Sequence, residues 1–208
     1  TGEEAMSRCL LVILLFLAPL LGRAQGIVVL GDSISAGYGL QETEGWVHLL
    51  GQRLASQCSA MPVINASVSG ETSDGGVSRL PALLERHQPD VLVLELGGND
   101  GLRGLPPSRL AGNLEKMVSL GQQAGARVVL LGMRIPPNYG RAYTERFEAV
   151  FKQVAENNAL PWVPFFLDGV VEAGQIQSDG IHPTAEAQPT LLDNAWPVLR
   201  EVLPKDCQ

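Results

Sequence analysis

Short apolar runs alternate with longer stretches whose apolar residues recur every three or four positions. Ile27-Val28-Val29-Leu30 is a compact β-type run that ends in Gly31-Asp32-Ser33. Trp46, Leu49, Leu50 and Leu54 have helical spacing, as do Val77, Leu80, Leu83 and Leu84, and that second helix should stop near Gln88-Pro89. Val63-Ile64 is a weak strand, whereas Val91 to Leu96 is apolar at every position except Glu95. The alternation then repeats. Leu110, Leu114, Met117, Val118 and Leu120 predict a helix, Arg127 to Leu131 a strand, and Tyr143, Phe147, Val150, Phe151 and Val154 a helix. Trp162 to Phe166 predicts the last strand, and Ala185 to Val202 a closing helix interrupted by Pro189 and Pro197.

Strands apolar on both sides are buried on both faces, as in parallel sheets covered by helices. About five such strands interleaved with helices predict a three-layer α/β/α sandwich around a parallel sheet. In open parallel sheets ligands bind beyond the carboxyl ends of the strands, so the residues after each strand carry the functional expectation.

The amino end departs from this rhythm. Cys9 to Leu21 is an unbroken apolar run with Arg8 before it and Gly22 and Ala24 after it. It is shorter than the roughly 20 residues of a membrane helix, and its flanks fit a secretory signal cut after Ala24. An uncleaved anchor is the competing reading. Residues 1–24 are therefore assigned to an extension and signal, with Met6 as a start, and 25–208 to one domain. No stable membrane span is expected after cleavage, and a periplasmic or secreted protein follows. Cys58 and Cys207 then remain, and an oxidising compartment permits a disulfide between them.

Composition adds exclusions. A formal net charge of −7 argues against nucleic acid, which is bound through clustered Lys and Arg. The histidines show no paired metal-ligand spacing, and Gly97-Gly98 lacks the lysine of a phosphate loop. His48 and His87 fall in helical segments and read as surface residues.

The strand exits hold the candidate chemistry. The first reads Gly31-Asp32-Ser33-Ile34-Ser35, the second Asn65 to Gly70, the third Gly97-Gly98-Asn99-Asp100, and the last is followed by Asp179-Gly180-Ile181-His182-Pro183. A serine hydroxyl is a weak nucleophile that needs an adjacent base. An imidazole suits that role, and it needs an acid partner to hold its tautomer. Asp179 and His182 are three residues apart, so one turn can bring carboxylate and ring together. A tetrahedral intermediate needs donors aimed at its oxyanion, which the Ser33 and Gly70 amides and the Asn99 side chain can provide. Asp32 and Asp100 read as residues that hold loops by hydrogen bonds. Glu71 and Asp74 read as part of a solvated loop rather than a cation site.

The blocks GDSIS, SVSGETS, GGND and DGIHP resemble, in order and spacing, those of the SGNH (GDSL-type) hydrolases, over Ile27 to Leu203. Runs such as NASVSGETS, LELGGNDGLRG and DGIHPTAEAQP are most similar to the bacterial thioesterase I, lysophospholipase and arylesterase branch. The resemblance implies a flavodoxin-like fold, Ser33 as nucleophile, His182 as base oriented by Asp179, and Ser33, Gly70 and Asn99 as oxyanion donors. It implies no metal or cofactor, and small acyl esters or thioesters (aryl esters, lysophospholipids, fatty acyl thioesters) as substrates. Glu71, Ile135, Pro136 and Tyr139 are the candidate substrate-binding residues, in two loops that could shape an acyl groove. A short-chain or carbohydrate acetylesterase, and a non-catalytic binding protein on the same fold, are the alternatives.

Overall fold

The computed structural model describes residues 26–57 and 61–207. The signal assignment, its cleavage after Ala24 and Cys58 lie outside the described residues.

Five parallel strands form one sheet: β1 (Ile27–Gly31), β2 (Val63–Asn65), β3 (Val91–Glu95), β4 (Arg127–Leu131) and β5 (Trp162–Val163), in the order β2-β1-β3-β4-β5. This is the flavodoxin-like order, whose switch point lies between β1 and β3. Register runs in step there, from Ile27 opposite Val91 to Gly31 opposite Glu95. Every residue of β1 and β3 is buried, as the two-sided apolar pattern requires.

The helices are α1 (Ser33–Ala36), α2 (Trp46–Gln57), α3 (Ser73–His87), α4 (Gly98–Leu102), α5 (Pro107–Gln123), α6 (Arg141–Asn157) and α7 (Gln188–Val202). α2 packs against α7, while α3, α5 and α6 pack in a row, giving the two helical layers of a three-layer α/β/α sandwich. The α2–α7 layer is keyed by a buried polar contact: the Trp46 backbone N–H donates to the Gln188 side-chain Oε1 at 3.0 Å. Among the described residues no helix is long and apolar enough to cross a membrane.

Differences from the pattern have local causes. β5 stops at Val163 because Pro164 has no N–H to continue the ladder, although the Phe166 N–H still donates to Gly132 O. The closing helix begins at Gln188 after a 3₁₀ turn at Ala185–Ala187, so Pro189 sits in its first turn, where no N–H is required. Pro197 lies inside it. Cys207 is disulfide-bonded, and the turn Lys205–Cys207 packs against α2.

Candidate active site

The exit of β1 is fixed from below. Asp32 caps α1, its carboxylate accepting the Ile34 N–H at 3.0 Å, and the helix closes after one turn as the Gly37 N–H donates to Ser33 O. Ser33 thus stands at the first position of a helical turn, at the carboxyl edge of the sheet. Beneath it Glu95, the one charged residue of β3, is fully buried. Its Oε2 accepts Ser35 Oγ–H at 2.6 Å, and Ser35 Oγ in turn accepts the Trp46 Nε1–H at 3.1 Å. Burial pushes the Glu95 carboxyl well above the usual carboxylate range, reinforced by the charge of Asp32. Burial also raises Asp32, to about 6, against the opposing Ile34 and Asn99 hydrogen bonds.

The Asp179–His182 loop is built differently. Asp179 Oδ1 accepts the backbone N–H groups of Ile181 (2.9 Å) and His182 (3.0 Å), while Oδ2 lies 2.6 Å from His182 Nδ1. The His182 backbone N–H, then its ring, then the Ile181 N–H lower the Asp179 carboxyl to about 2. An ionised carboxylate can only accept, so Nδ1 carries the hydrogen and Nε2 of the neutral ring is left as an acceptor. Ser33 Oγ lies 2.8 Å from that Nε2. The three side chains therefore form a continuous hydrogen-bonded line.

The third exit contributes Asn99, in the first turn of α4. Its Nδ2 donates to Asp32 Oδ2 at 3.2 Å, leaving the second amide hydrogen for a ligand. Gly70 sits at φ 79 in a turn tied on both sides, by Val68 N–H to Gly31 O and by Arg103 Nη2 to Gly70 O. Among the described residues neither the Ser33 nor the Gly70 backbone N–H has an acceptor.

A cavity of about 470 Å³ opens beside Ser33, Asn99 and His182. Its walls are mainly apolar, with Met133, Ile135, Pro136, Phe165, Leu167 and Val171 prominent. A second depression of about 360 Å³, lined by Gln122, Arg127, Asn158 and Pro161 among others, lies at the opposite edge of the sheet and holds no such side-chain line.

A model of the GDSL-like Lipase/Acylhydrolase family matches residues 29–188. Esterase TesA of Pseudomonas aeruginosa is 49% identical over 199 residues, covering 95% of this chain and 98% of that protein. The chain belongs to the GDSL-like lipase/acylhydrolase family. A second family relative, Thioesterase 1/protease 1/lysophospholipase L1 of Escherichia coli (strain K12), is 43% identical over 184 residues, covering 88% of this chain and 86% of that one. Among solved structures, the psychrotrophic esterase EstA from Pseudoalteromonas sp., inhibited by monoethylphosphonate, superposes with a TM-score of 0.80 at 40% identity, covering 85% of this chain and 97% of that one.

The structure brings Ser33, Asp179 and His182 together and sets Asn99 on the same cavity. Of the four residues expected at a substrate groove, Ile135 and Pro136 line this cavity and Glu71 and Tyr139 do not. Glu71 is held by Arg79 Nε at 2.5 Å, and Tyr139 Oη donates to Leu102 O at 2.8 Å while its ring packs near Tyr143. Asp74 is likewise paired, with Arg109, and Asp100 accepts the Ser73 N–H and hydroxyl. Sequence reasoning missed the cavity wall from Leu167 to Ile176, because that stretch has no periodic pattern. It also passed over Tyr38, whose ring centroid lies 4.4 Å from that of His182.

Proposed function

We propose that this family member hydrolyses acyl esters and acyl thioesters by a two-step transfer through an acyl-enzyme on Ser33. The single observation that carries the reading is the line from Asp179 through His182 to Ser33 Oγ, with hydrogen-bond lengths of 2.6 and 2.8 Å. In the first step His182 Nε2 takes the Ser33 proton as Oγ attacks the carbonyl carbon. Asp179, ionised across the ordinary pH range, stabilises the imidazolium that results. The carbonyl oxygen, now negative, is met by the Ser33 and Gly70 amides and the free Asn99 hydrogen. His182 returns its proton to the leaving alcohol or thiol, then activates water to release the acid and restore Ser33.

The relatives' names support this chemistry: one is an esterase, another a thioesterase and lysophospholipase. Inhibition of a third by a phosphonate fits a tetrahedral adduct on a serine. The apolar wall favours an acyl chain of medium length or longer over an acetyl group, since each buried methylene contributes about 0.8 kcal/mol. Rates on aryl esters of increasing acyl length test this. We expect kcat/KM to rise from acetyl through octanoyl; a maximum at acetyl would instead support a short-chain or carbohydrate acetylesterase. Export by the signal ending at Ala24 belongs to the same proposal, and the disulfide at Cys207 fits an oxidising compartment. Sequencing the amino terminus of the secreted protein tests it.

A further inference from the structure

The Asp179–His182 unit is held together by its own short-range hydrogen bonds, and these say nothing of where the unit sits relative to Ser33. Asp179, Gly180 and Ile181 are exposed, on a long irregular segment between β5 and α7. Yet the Ser33–His182 contact is a hydrogen bond of 2.8 Å between residues 149 apart in sequence. Something must register the two loops.

Gln177 carries three hydrogen bonds, two that tie the histidine segment together and one that reaches the nucleophile loop. Its backbone N–H donates to His182 O at 2.7 Å. Its side-chain Nε2 donates to two carbonyls at 2.9 Å each: Pro183 O, next to His182, and Tyr38 O, on the nucleophile loop. Tyr38 is in turn bonded to Ser33 itself, its N–H donating to Ser33 O at 3.0 Å. Its ring also lies against His182. A short covalent and hydrogen-bonded circuit therefore runs from Ser33 through Tyr38 and Gln177 to His182.

The other half of the amide is fitted as closely. At Gly39, with φ +77, a Cβ would come within 2.5 Å of Gln177 Oε1, so a side chain here would push the carboxamide aside as well as strain the backbone. An antiparallel bridge between Ile176 and Pro183 aligns the strand-like segment that carries Gln177. A primary carboxamide is the one side chain of this length with two N–H donors on a single nitrogen and no charge. Glutamate has none when ionised and leucine has none at all.

We propose that Gln177 is a positioning residue, its carboxamide clasping the Tyr38 and Pro183 carbonyls so that His182 Nε2 stays in reach of Ser33 Oγ. The inference rests on the acyl-enzyme reading of Ser33 and His182. Small misplacement of reacting groups can cost up to about 100-fold in rate.

The test compares wild type, Gln177→Leu, Gln177→Glu and Gly39→Ala by steady-state ester hydrolysis, by the rate of labelling with a fluorophosphonate, and by thermal unfolding. We expect the variants to lose about 10- to 100-fold in kcat and in labelling rate. KM should stay within about threefold, because neither residue lines the cavity. Gly39→Ala displaces the carboxamide but also strains the backbone at φ +77, so Gln177→Glu, of the same length and without an N–H donor when ionised, decides the matter if Gln177→Leu fails to fold. Folded variants with wild-type kcat and labelling rate would overturn the clasp and leave the acyl-enzyme reading standing. A variant that lowers only the unfolding temperature would overturn it too, assigning Gln177 to loop stability. A wild-type protein that hydrolyses esters without labelling would remove the acyl-enzyme reading, and the clasp with it.

Discussion

The two loops that meet at the cavity are anchored in opposite ways. The loop of the proposed nucleophile, Ser33, rests on the core, where Asp32, Ser35 and Glu95 are all buried and linked to Trp46. The histidine loop lies on the surface, where Asp179 and Ile181 are exposed and the bonds are local. A buried polar network is costly to disturb because each unsatisfied group retains its desolvation penalty. An exposed loop can be altered with little effect on folding. The difference teaches that precision on one side comes from the core and on the other from a few contacts reaching back to it. Changes to the histidine loop should affect rate alone, and changes beneath the nucleophile should affect stability.

The largest effect expected is His182→Ala, with kcat down by about 10⁴- to 10⁶-fold and the urea midpoint nearly unchanged. A large loss of stability would show that the surface loop supports the core after all. Asn99→Ala removes one of the proposed oxyanion donors and should lower kcat by about 10²- to 10³-fold. A loss below tenfold would assign Asn99 to holding Asp32 alone. Glu95→Ala should cost about 1–3 kcal/mol in denaturant unfolding, since it opens space under the loop and leaves Ser35 Oγ–H without its acceptor. Unchanged stability would contradict an anchored nucleophile loop.

An effect of similar size is a pH dependence. Asp32 titrates near 6 in the folded protein and near 3.8 in the unfolded chain. Between those values the folded state keeps a proton that the unfolded chain has released, so stability falls as pH rises through the window. Asp32→Asn removes this penalty while retaining a side-chain oxygen for the Ile34 N–H. Its stability relative to wild type should therefore grow by about 1–3 kcal/mol from pH 4 to pH 6 and level off above. A pH-independent difference between the two proteins would contradict the burial of a titrating Asp32.

The sheet was legible in the sequence because β1, β3 and β4 are apolar runs long enough to be buried on both faces. Ser33 and Asn99 were legible as chemical types placed where such strands end, and the Asp179–His182 pair by its three-residue spacing, although it lies well beyond the end of β5. Less legible was whatever depends on long-range packing. Glu95 stood out as the charged position in an apolar strand, but its partners Ser35 and Trp46 are joined to it only by the fold. The segment from Leu167 to Ile176 has no helical or strand period, so its part in the cavity wall left no trace in the pattern. Tyr139 had the right residue type for a groove, yet its hydroxyl is taken by Leu102 O. Glu71 was drawn away by Arg79, an ion-pair partner eight residues on that no local rule singles out.

The central claim is that Ser33 is activated as a nucleophile by His182. Fluorophosphonate labelling followed by peptide mass mapping tests it most directly, run on wild type and on a folded Ser33→Ala variant. The account predicts a single adduct on the peptide carrying Ser33, none in the variant, and loss of ester hydrolysis in that variant. An adduct on another residue, or near-wild-type hydrolysis by Ser33→Ala, would contradict it.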